Sequence, residues 1–135
     1  VALLAAHKRN PDPGVLVAAT KDSSADVVAE AVRLLGYTQR GSSSSVDSAL
    51  DQALLHDAGE VRRLAARAIG WRGDPTAFDR VAQLLNDPRP GVREAAVRAL
   101  GRLDKSRAAG LQQLIALEND GHPGTVRAVR RVLAP

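Results

Sequence analysis

Residues 91–101 read GVREAAVRALG, and three other segments of the chain repeat this phrase with small changes. The repeats are EVRRLAARAIG at 60–70, DVVAEAVRLLG at 26–36 and a less regular copy, TVRAVRRVL, at 125–133. The closing glycines of the first three copies are 34 and 31 residues apart, and Val126 follows Val92 by 34. A period of this length is typical of solenoids, in which units stack in a row instead of enclosing one central core.

The composition limits the classes of protein to consider. The chain has 135 residues, enough for one domain, and its apolar residues are mainly Ala, Val and Leu. The aromatic residues are Tyr37, Trp71 and Phe78, so we expect closely packed helices without a deep aromatic pocket. The absence of Cys excludes disulfides and thiolate metal sites. No apolar run approaches the roughly 20 residues that a membrane helix needs, so we expect no membrane insertion.

Positive charge is concentrated in the C-terminal third. Residues 1–88 carry 10 Lys/Arg and 11 Asp/Glu, whereas residues 89–135 carry 9 and 4, which leaves a net +5 there. Such asymmetry can mark an anionic partner. Because the chain begins at Val1 and contains no Met, we interpret it as a fragment or processed form that lacks any targeting segment, and the sequence does not indicate a compartment.

Each copy of the phrase follows a shorter helical segment, so each unit is predicted to be a pair of antiparallel helices. The approximate units are 10–40, 41–73, 74–105 and 106–135, and residues 1–9 read as the tail of a truncated preceding helix. Asp12 before Pro13, Asp74 before Pro75, and Ser106 are the expected caps of first helices. No segment alternates with period two, so we expect no strands.

The apolar positions of the second helices share one face, which includes Val61, Ala65 and Ala68. Alanines on that face allow neighbouring helices to approach closely. The opposite face is expected to be polar and to carry Arg62, Arg63 and Arg67 in one copy and Arg93, Val97 and Arg98 in the next.

The pattern of Asp87, a short turn, Val92-Arg93, Ala95-Ala96 and Ala99-Leu100-Gly101 resembles the HEAT repeat, in the short bacterial form also called PBS-lyase-like. The unit with Asp57 matches it as well, and the last unit matches in part. In the first unit Val28 stands where the repeat has Arg. The resemblance covers roughly residues 10–135. It implies an all-α, right-handed α-solenoid of about four antiparallel helix pairs, with second helices lining a concave, partner-binding side.

The resemblance also implies a hydrogen-bonding ladder between adjacent units. Its expected members are the aspartates before the turns and the arginines after the valines: Asp57, Asp87, Asp120, Arg62, Arg93 and Arg127. In the last unit Arg130 stands in place of the alanine that matches Ala65 and Ala96, and a polar residue there suits a terminal cap.

Arg33, Arg67 and Arg98 occupy the same position in three successive second helices. Stacked units would place them about 10 Å apart, in a column near the concave face. This column either binds an acidic peptide, phosphates or nucleic acid, or is a solvated face paired with acids such as Glu30. Further candidates on the concave face are Arg63, Glu94 and Arg131. The lack of aromatic residues near the column weighs against single-stranded nucleic acid.

Catalytic and metal-binding patterns are absent from the sequence. His7, His56 and His122 are isolated and lack metal-ligand spacing, and we expect no metal and no cofactor. The tripeptide Arg72-Gly73-Asp74 reads as an inter-unit turn, and Trp71 is expected to cover a repeat junction.

The resemblance implies no chemistry by itself, because the family includes scaffolds, chromophore-lyase subunits, enzyme appendages and DNA-repair glycosylases. We therefore predict a monomeric, non-catalytic module in a bacterial setting that binds another protein or an acidic peptide. The alternatives are weak nucleic-acid binding through the basic C-terminal units, and a HEAT appendage or lyase-like subunit of a larger enzyme.

Overall fold

The computed structural model describes residues 12–38 and 44–135. Every regular element in these two ranges is a helix, and the predicted all-α HEAT-repeat fold is confirmed. The predicted helix tail at residues 1–9 lies outside the described residues.

Nine α-helices occur in the described ranges. They are α1 (Pro13–Ala19), α2 (Ala25–Leu35), α3 (Ser44–Ala53), α4 (Gly59–Arg72), α5 (Phe78–Ala82), α6 (Pro90–Leu103), α7 (Lys105–Ala109), α8 (Gln112–Ile115) and α9 (Pro123–Leu133). Short 3₁₀ turns extend α5 on both sides, at Pro75–Ala77 and Gln83–Asn86, and Ala116–Asn119 follows α8. The second helices of the four pairs are α2, α4, α6 and α9. The limits of the predicted units stay a prediction.

Two of the three expected caps begin helical segments as predicted. The Asp12 carboxylate accepts a hydrogen bond from the backbone N–H of Gly14 at 3.0 Å, and Asp74 accepts one from Thr76 at 3.0 Å. The prediction for Ser106 is wrong. The Asp104 carboxylate caps α7 instead, because its extended backbone lets it accept from the Arg107 N–H at 3.1 Å.

The second helices form a continuous layer in which α4 contacts α2 and α6, and α6 contacts α9. The closing glycines of α2 and α4 permit this close approach. A Cβ added at Gly70 would lie 2.9 Å from the Ala99 Cα and 3.0 Å from its Cβ, and one at Gly36 would lie 3.1 Å from the Ala68 Cβ. The glycine and the alanines of the repeated phrase are therefore two halves of one helix–helix contact.

The face that the sequence predicts as polar is partly buried. Val97, expected there beside Arg93 and Arg98, is fully buried, and so is Ala66 at the same position of α4. Both residues are enclosed because each second helix packs between two neighbours. An internal helix of a stack therefore has two apolar sides. Its polar stripe is narrower than that of a helix with a single buried face.

The last copy aligns with the others one residue earlier than the sequence comparison indicates. Thr125, not Val126, takes the buried place of Val92, and Val129 and Val132 take those of Ala96 and Ala99. The spacing is therefore 33, which also relates Asp87 to Asp120 and Pro90-Gly91 to Pro123-Gly124. Thr125 is accommodated because its hydroxyl lies 3.4 Å from the Pro90 carbonyl oxygen and 3.1 Å from the His122 Nδ1.

This alignment changes the position assigned to Arg130. It corresponds to Val97 and Ala66, not to Ala96 and Ala65, and it is exposed where those two residues are buried under the next second helix. Arginine on this side of α9 is consistent with the polar cap expected there, although the residue it replaces is a different one.

Candidate functional site

The ladder between successive units is centred on Arg62, which links three segments of the chain. Its Nε and one terminal nitrogen donate to the two Asp87 carboxylate oxygens at 2.8 and 3.2 Å. The other terminal nitrogen donates to the backbone carbonyls of His56 and Asp57, both at 2.8 Å. The two side chains are mostly buried, with 14% of Arg62 and 5% of Asp87 exposed. The hydrogen bond to Asp87 raises the pKa of the Arg62 guanidinium.

Arg93 repeats this arrangement one unit later. It donates to the two carboxylate oxygens of Asp120 at 3.0 and 3.2 Å and to the Asp87 carbonyl at 2.9 Å. Burial of each aspartate acts to raise the pKa of its carboxyl. The hydrogen bonds from the arginine and from one backbone N–H outweigh burial, so the pKa values of Asp87 and Asp120 are both lowered.

The structure corrects the expected ladder at both ends. Asp57 is exposed, and its carboxylate has no hydrogen-bond partner among residues 12–38 and 44–135, because Val28 of the preceding unit stands where an arginine is needed. Arg127 is exposed and aligns with Glu94, so Val126 takes the ladder position of the last unit. The two complete pairs are Arg62–Asp87 and Arg93–Asp120.

Arg72 is a buried structural residue that the sequence analysis did not identify. Its guanidinium donates to the Thr38 carbonyl and hydroxyl and, at 2.9 Å, to the Asp47 carboxylate. Gly73 follows with a φ of 75°, and Asp74 caps the next segment, as expected for a turn. The tripeptide 72–74 is therefore an inter-unit turn with a buried arginine, not an exposed recognition loop.

The predicted arginine column contains paired and unpaired members. Arg33 of the column donates to Glu30, and the further candidate Arg63 donates to Glu60, in each case three residues earlier and with a closest distance of 2.6 Å. These hydrogen bonds raise the pKa of both guanidinium groups. Arg98 lies 3.7 Å from Glu94, a looser contact. Each of three successive second helices therefore has a glutamate beside its arginine, so positive and negative charges alternate along the stack.

Arg67 differs from the rest of the column. Its guanidinium carbon lies 4.1 Å above the centre of the Trp71 ring, and the rings of Trp71 and Tyr37 are 5.4 Å apart. Within the part of the chain that the structure describes, no carboxylate lies within 4 Å of Arg67. The expectation that no aromatic residue lies near the column is wrong, because one helical turn brings Trp71 next to Arg67 and stacking brings Tyr37 from the preceding unit.

Two grooves run between adjacent second helices. The α4–α6 groove has a volume of about 410 Å³ and is lined by Arg63, Arg67, Trp71, Gly91, Glu94, Ala95, Arg98, Ala99 and Arg102. The α6–α9 groove, of about 270 Å³, is lined by Arg98, Gly101, Arg102, Lys105, Ala128, Arg131 and Val132. We call the two grooves together the basic surface.

The basic surface contains cations that the sequence analysis missed. Arg102 follows Arg98 by four residues on α6, and this helical spacing is the signal available in the sequence, whereas Lys105 begins α7 and is brought to the groove by the turn at Asp104. Arg102, Lys105 and the predicted Arg131 have no carboxylate within 4 Å among residues 12–38 and 44–135, so their charges face the grooves and solvent.

The described residues contain no group of three or more His, Asp or Glu side chains arranged for a metal ion. No helix in residues 12–38 and 44–135 has both the length and the apolar character needed to cross a membrane.

Comparisons with known proteins agree with this architecture. The chain matches the family model described as HEAT repeats over residues 47–134. It is similar to a chain in the structure of the complex of CpcE and CpcF of phycocyanin lyase from Nostoc sp. PCC7120, with 27% sequence identity and a TM-score of 0.74. The match covers 90% of this chain and 52% of that chain, so this chain spans about half the length of its structural relative. None of the curated proteins matches it.

The match corrects the expectation that this chain is not an enzyme. The similar structure is that of a lyase, so the relationship is to an enzyme complex, and the chain cannot be set apart from enzymes by its lack of familiar motifs. The predicted resemblance to PBS-lyase-like HEAT repeats is confirmed. With the family model matching well over half of its length, the chain belongs to the HEAT-repeat family.

Proposed function

We propose that this chain is a protein-binding subunit that contacts its partner through the basic surface of α4, α6 and α9. The observation that carries the proposal is the α4–α6 groove, where arginines from both helices surround a partly exposed tryptophan. Arginine, tryptophan and tyrosine are the residues most enriched at the energetic centres of protein interfaces. Because most of the groove cations lack acidic partners, an acidic surface complements them best.

The alternation of sign favours a protein over nucleic acid. A phosphate backbone that followed the column would meet Glu30, Glu60 and Glu94, one in each of three successive units. Nucleic-acid affinity grows with the number of phosphates that Lys and Arg neutralise, and each acid on the path of the backbone removes part of that attraction. A protein partner can place its own basic or neutral groups opposite these glutamates.

A lyase-subunit role is the second candidate. It is supported by the 27% identity to a chain of a phycocyanin lyase complex, in which CpcE and CpcF are associated. If the chain is a lyase subunit, its partner is again a protein. Light scattering of the chain mixed with either Nostoc subunit tests it, since a heterodimer mass supports this role and two separate masses oppose it.

Binding of short ligands by fluorescence anisotropy tests the proposal directly. The ligands are a glutamate-rich peptide, its glutamine counterpart and a DNA duplex. The test variant is Arg67→Ala/Arg98→Ala, and the control is Arg80→Ala/Arg107→Ala on the first helices, which removes the same charge. We expect the acidic peptide to bind, and only the test variant to lose several-fold in affinity.

Two outcomes contradict the proposal. Equal losses in the two double variants mean that net charge alone attracts the peptide. DNA binding at physiological salt that is tighter than peptide binding, and that disappears in Arg67→Ala/Arg98→Ala, favours nucleic acid as the partner.

A further inference from the structure

We infer that Arg67, stacked on Trp71, is the anion-binding centre of the basic surface and receives a carboxylate from an acidic segment of the partner protein. The inference deepens the proposed function and rests on it. The arginine column by itself does not distinguish its members, and the tertiary contacts of Arg67 do.

The stacking geometry holds Arg67 ready to bind an anion. A guanidinium over an aromatic ring uses its flat face for the cation–π contact and leaves its five N–H donors, which lie in its plane, directed outward. The ring also restricts the rotamers of a long side chain, which lowers the entropy that is lost when a ligand is bound. Arg67 has no acidic partner among the described residues, so its in-plane donors do not serve an ion pair there.

The other arginines of the column, and the nearby Arg63, are less suited to this role. Arg33 and Arg63 are already bonded to glutamates at 2.6 Å, so a ligand carboxylate would have to displace an internal one. Arg98 is held loosely by Glu94 at 3.7 Å and lies with Arg102 on the opposite wall of the groove. Arg98 and Arg102 are therefore expected to add attraction, while Arg67 positions the ligand.

The groove suits a short extended segment. From Arg63 to Trp71 the helix rises about 12 Å, at 1.5 Å per residue. An extended chain covers this distance with about four residues, at roughly 3.3 Å each. The lining includes Gly91, which has no side chain, and Ala95 and Ala99, whose side chains are single methyl groups, so these positions leave room for a backbone. One acidic side chain of the segment would pair with Arg67 on α4, and another would pair with Arg98 and Arg102 on α6.

A carboxylate fits this site better than a phosphate or a nucleobase. Glu94 lines the same groove and offsets one of its positive charges, so the groove is less basic than its arginines alone suggest. Arg67 covers one face of the Trp71 ring, so a base cannot stack on that face.

The experiment uses the single tryptophan of the chain as its reporter. A glutamate-rich peptide is titrated while anisotropy reports binding and Trp71 emission reports the site. We expect Trp71 emission to change in step with binding. Arg67→Ala should weaken binding about tenfold, the usual scale for losing a hydrogen bond to a charged group. Arg67→Lys should lose nearly as much, because lysine keeps the charge but has no planar fork. Arg80→Ala, outside the basic surface and paired with Asp51, is the control and should stay within about twofold, the order expected for an exposed, already paired arginine.

The outcomes separate this inference from the proposed function. Peptide binding that persists in Arg67→Lys with unchanged Trp71 emission overturns the carboxylate site but leaves the protein-binding proposal intact. The absence of any peptide binding by anisotropy overturns the proposed function itself. A phosphoserine peptide or a DNA strand that binds more tightly than the glutamate peptide, and changes Trp71 emission, shows that the site prefers phosphate and contradicts the inference.

Discussion

The junction between α4 and α6 and the junction between α2 and α4 have the same helix packing but different polar contacts. In both, a closing glycine meets an alanine of the next helix, Gly70 with Ala99 and Gly36 with Ala68. Of these two junctions, the α4–α6 junction carries an arginine–aspartate pair of the ladder, Arg62 with Asp87. A second such pair lies at the α6–α9 junction. Packing is therefore a property of every unit, whereas a ladder pair requires the right residue in two units at once.

The junction without a ladder pair has a different polar link. Arg72 lies at the position that Leu103 occupies in the next unit, and it joins α4 to Thr38 and to Asp47 of α3. This contact connects the first and second units from the other end of α4. At the α2–α4 junction, Val28 replaces the arginine of the ladder, and the buried Arg72 supplies a polar contact at a different place in the same junction.

The largest effect should come from breaking the ladder. Asp87→Ala leaves the mostly buried Arg62 charge without its carboxylate, which should destabilise the protein by about 3 kcal/mol, the lower end for breaking a buried pair. Asp57→Ala, at the same repeat position but exposed and without a side-chain hydrogen bond in the described structure, should change the stability by about 0.5 kcal/mol or less. Urea denaturation of both variants measures the difference. Similar losses of unfolding free energy in Asp87→Ala and Asp57→Ala would show that the Arg62–Asp87 pair adds no stability to its junction.

A smaller effect is expected from Arg72→Leu. The substitution removes hydrogen bonds to Thr38 and Asp47, but Asp47 is 43% exposed and regains water, and leucine is the residue of the next unit. We expect a loss of about 2 kcal/mol, within the range for hydrogen bonds to a charged group. Urea denaturation again measures it, with the exposed Arg80→Ala as control. A neutral or stabilising result would mean that Arg72 only fills space.

The smallest effect should appear at acid pH. The folded-state pKa values of Asp87 and Asp120 lie below the unfolded value of about 3.9. Their contribution to stability is therefore complete above that pH and is lost as the pH falls through the folded values. Unfolding free energies measured between about pH 2 and 6 should fall toward acid, and Asp87→Asn/Asp120→Asn should flatten that fall. An unchanged acid dependence in the double variant would contradict the assignment.

The sequence was sufficient to predict the fold and part of the candidate site. The period of the repeated phrase predicts stacked helix pairs, and the aspartates and arginines of the two middle units form hydrogen-bonded pairs in the structure. The sequence pattern aligns Val126-Arg127 with Val92-Arg93, whereas the structure aligns Pro123-Gly124 with Pro90-Gly91, one residue earlier. Thr125 at a buried position was not recognised, since a threonine there depends on a hydrogen-bond partner in the preceding unit.

Residues that act across units were the ones missed. The sequence places Arg72 in an inter-unit turn, and its burial depends on where Thr38 and Asp47 lie after the units stack. Trp71 and Tyr37 are 34 residues apart in the sequence, yet their rings are in contact and Arg67 covers one of them. The arginine column was visible in the sequence, but the distinction between paired and unpaired members was not.

What the sequence alone determined about this protein is the solenoid itself, because helix formation, unit length and the positions of the glycines and alanines are local properties that recur every 31 to 34 residues. What only the tertiary structure decided is which polar groups are neutralised. That outcome depends on distances of a few ångströms between side chains in different units, and a shift of one residue in the alignment is enough to exchange Val126 for Arg127. Arg67 likewise differs from Arg33 and Arg98 only through its side-chain contacts in the folded stack.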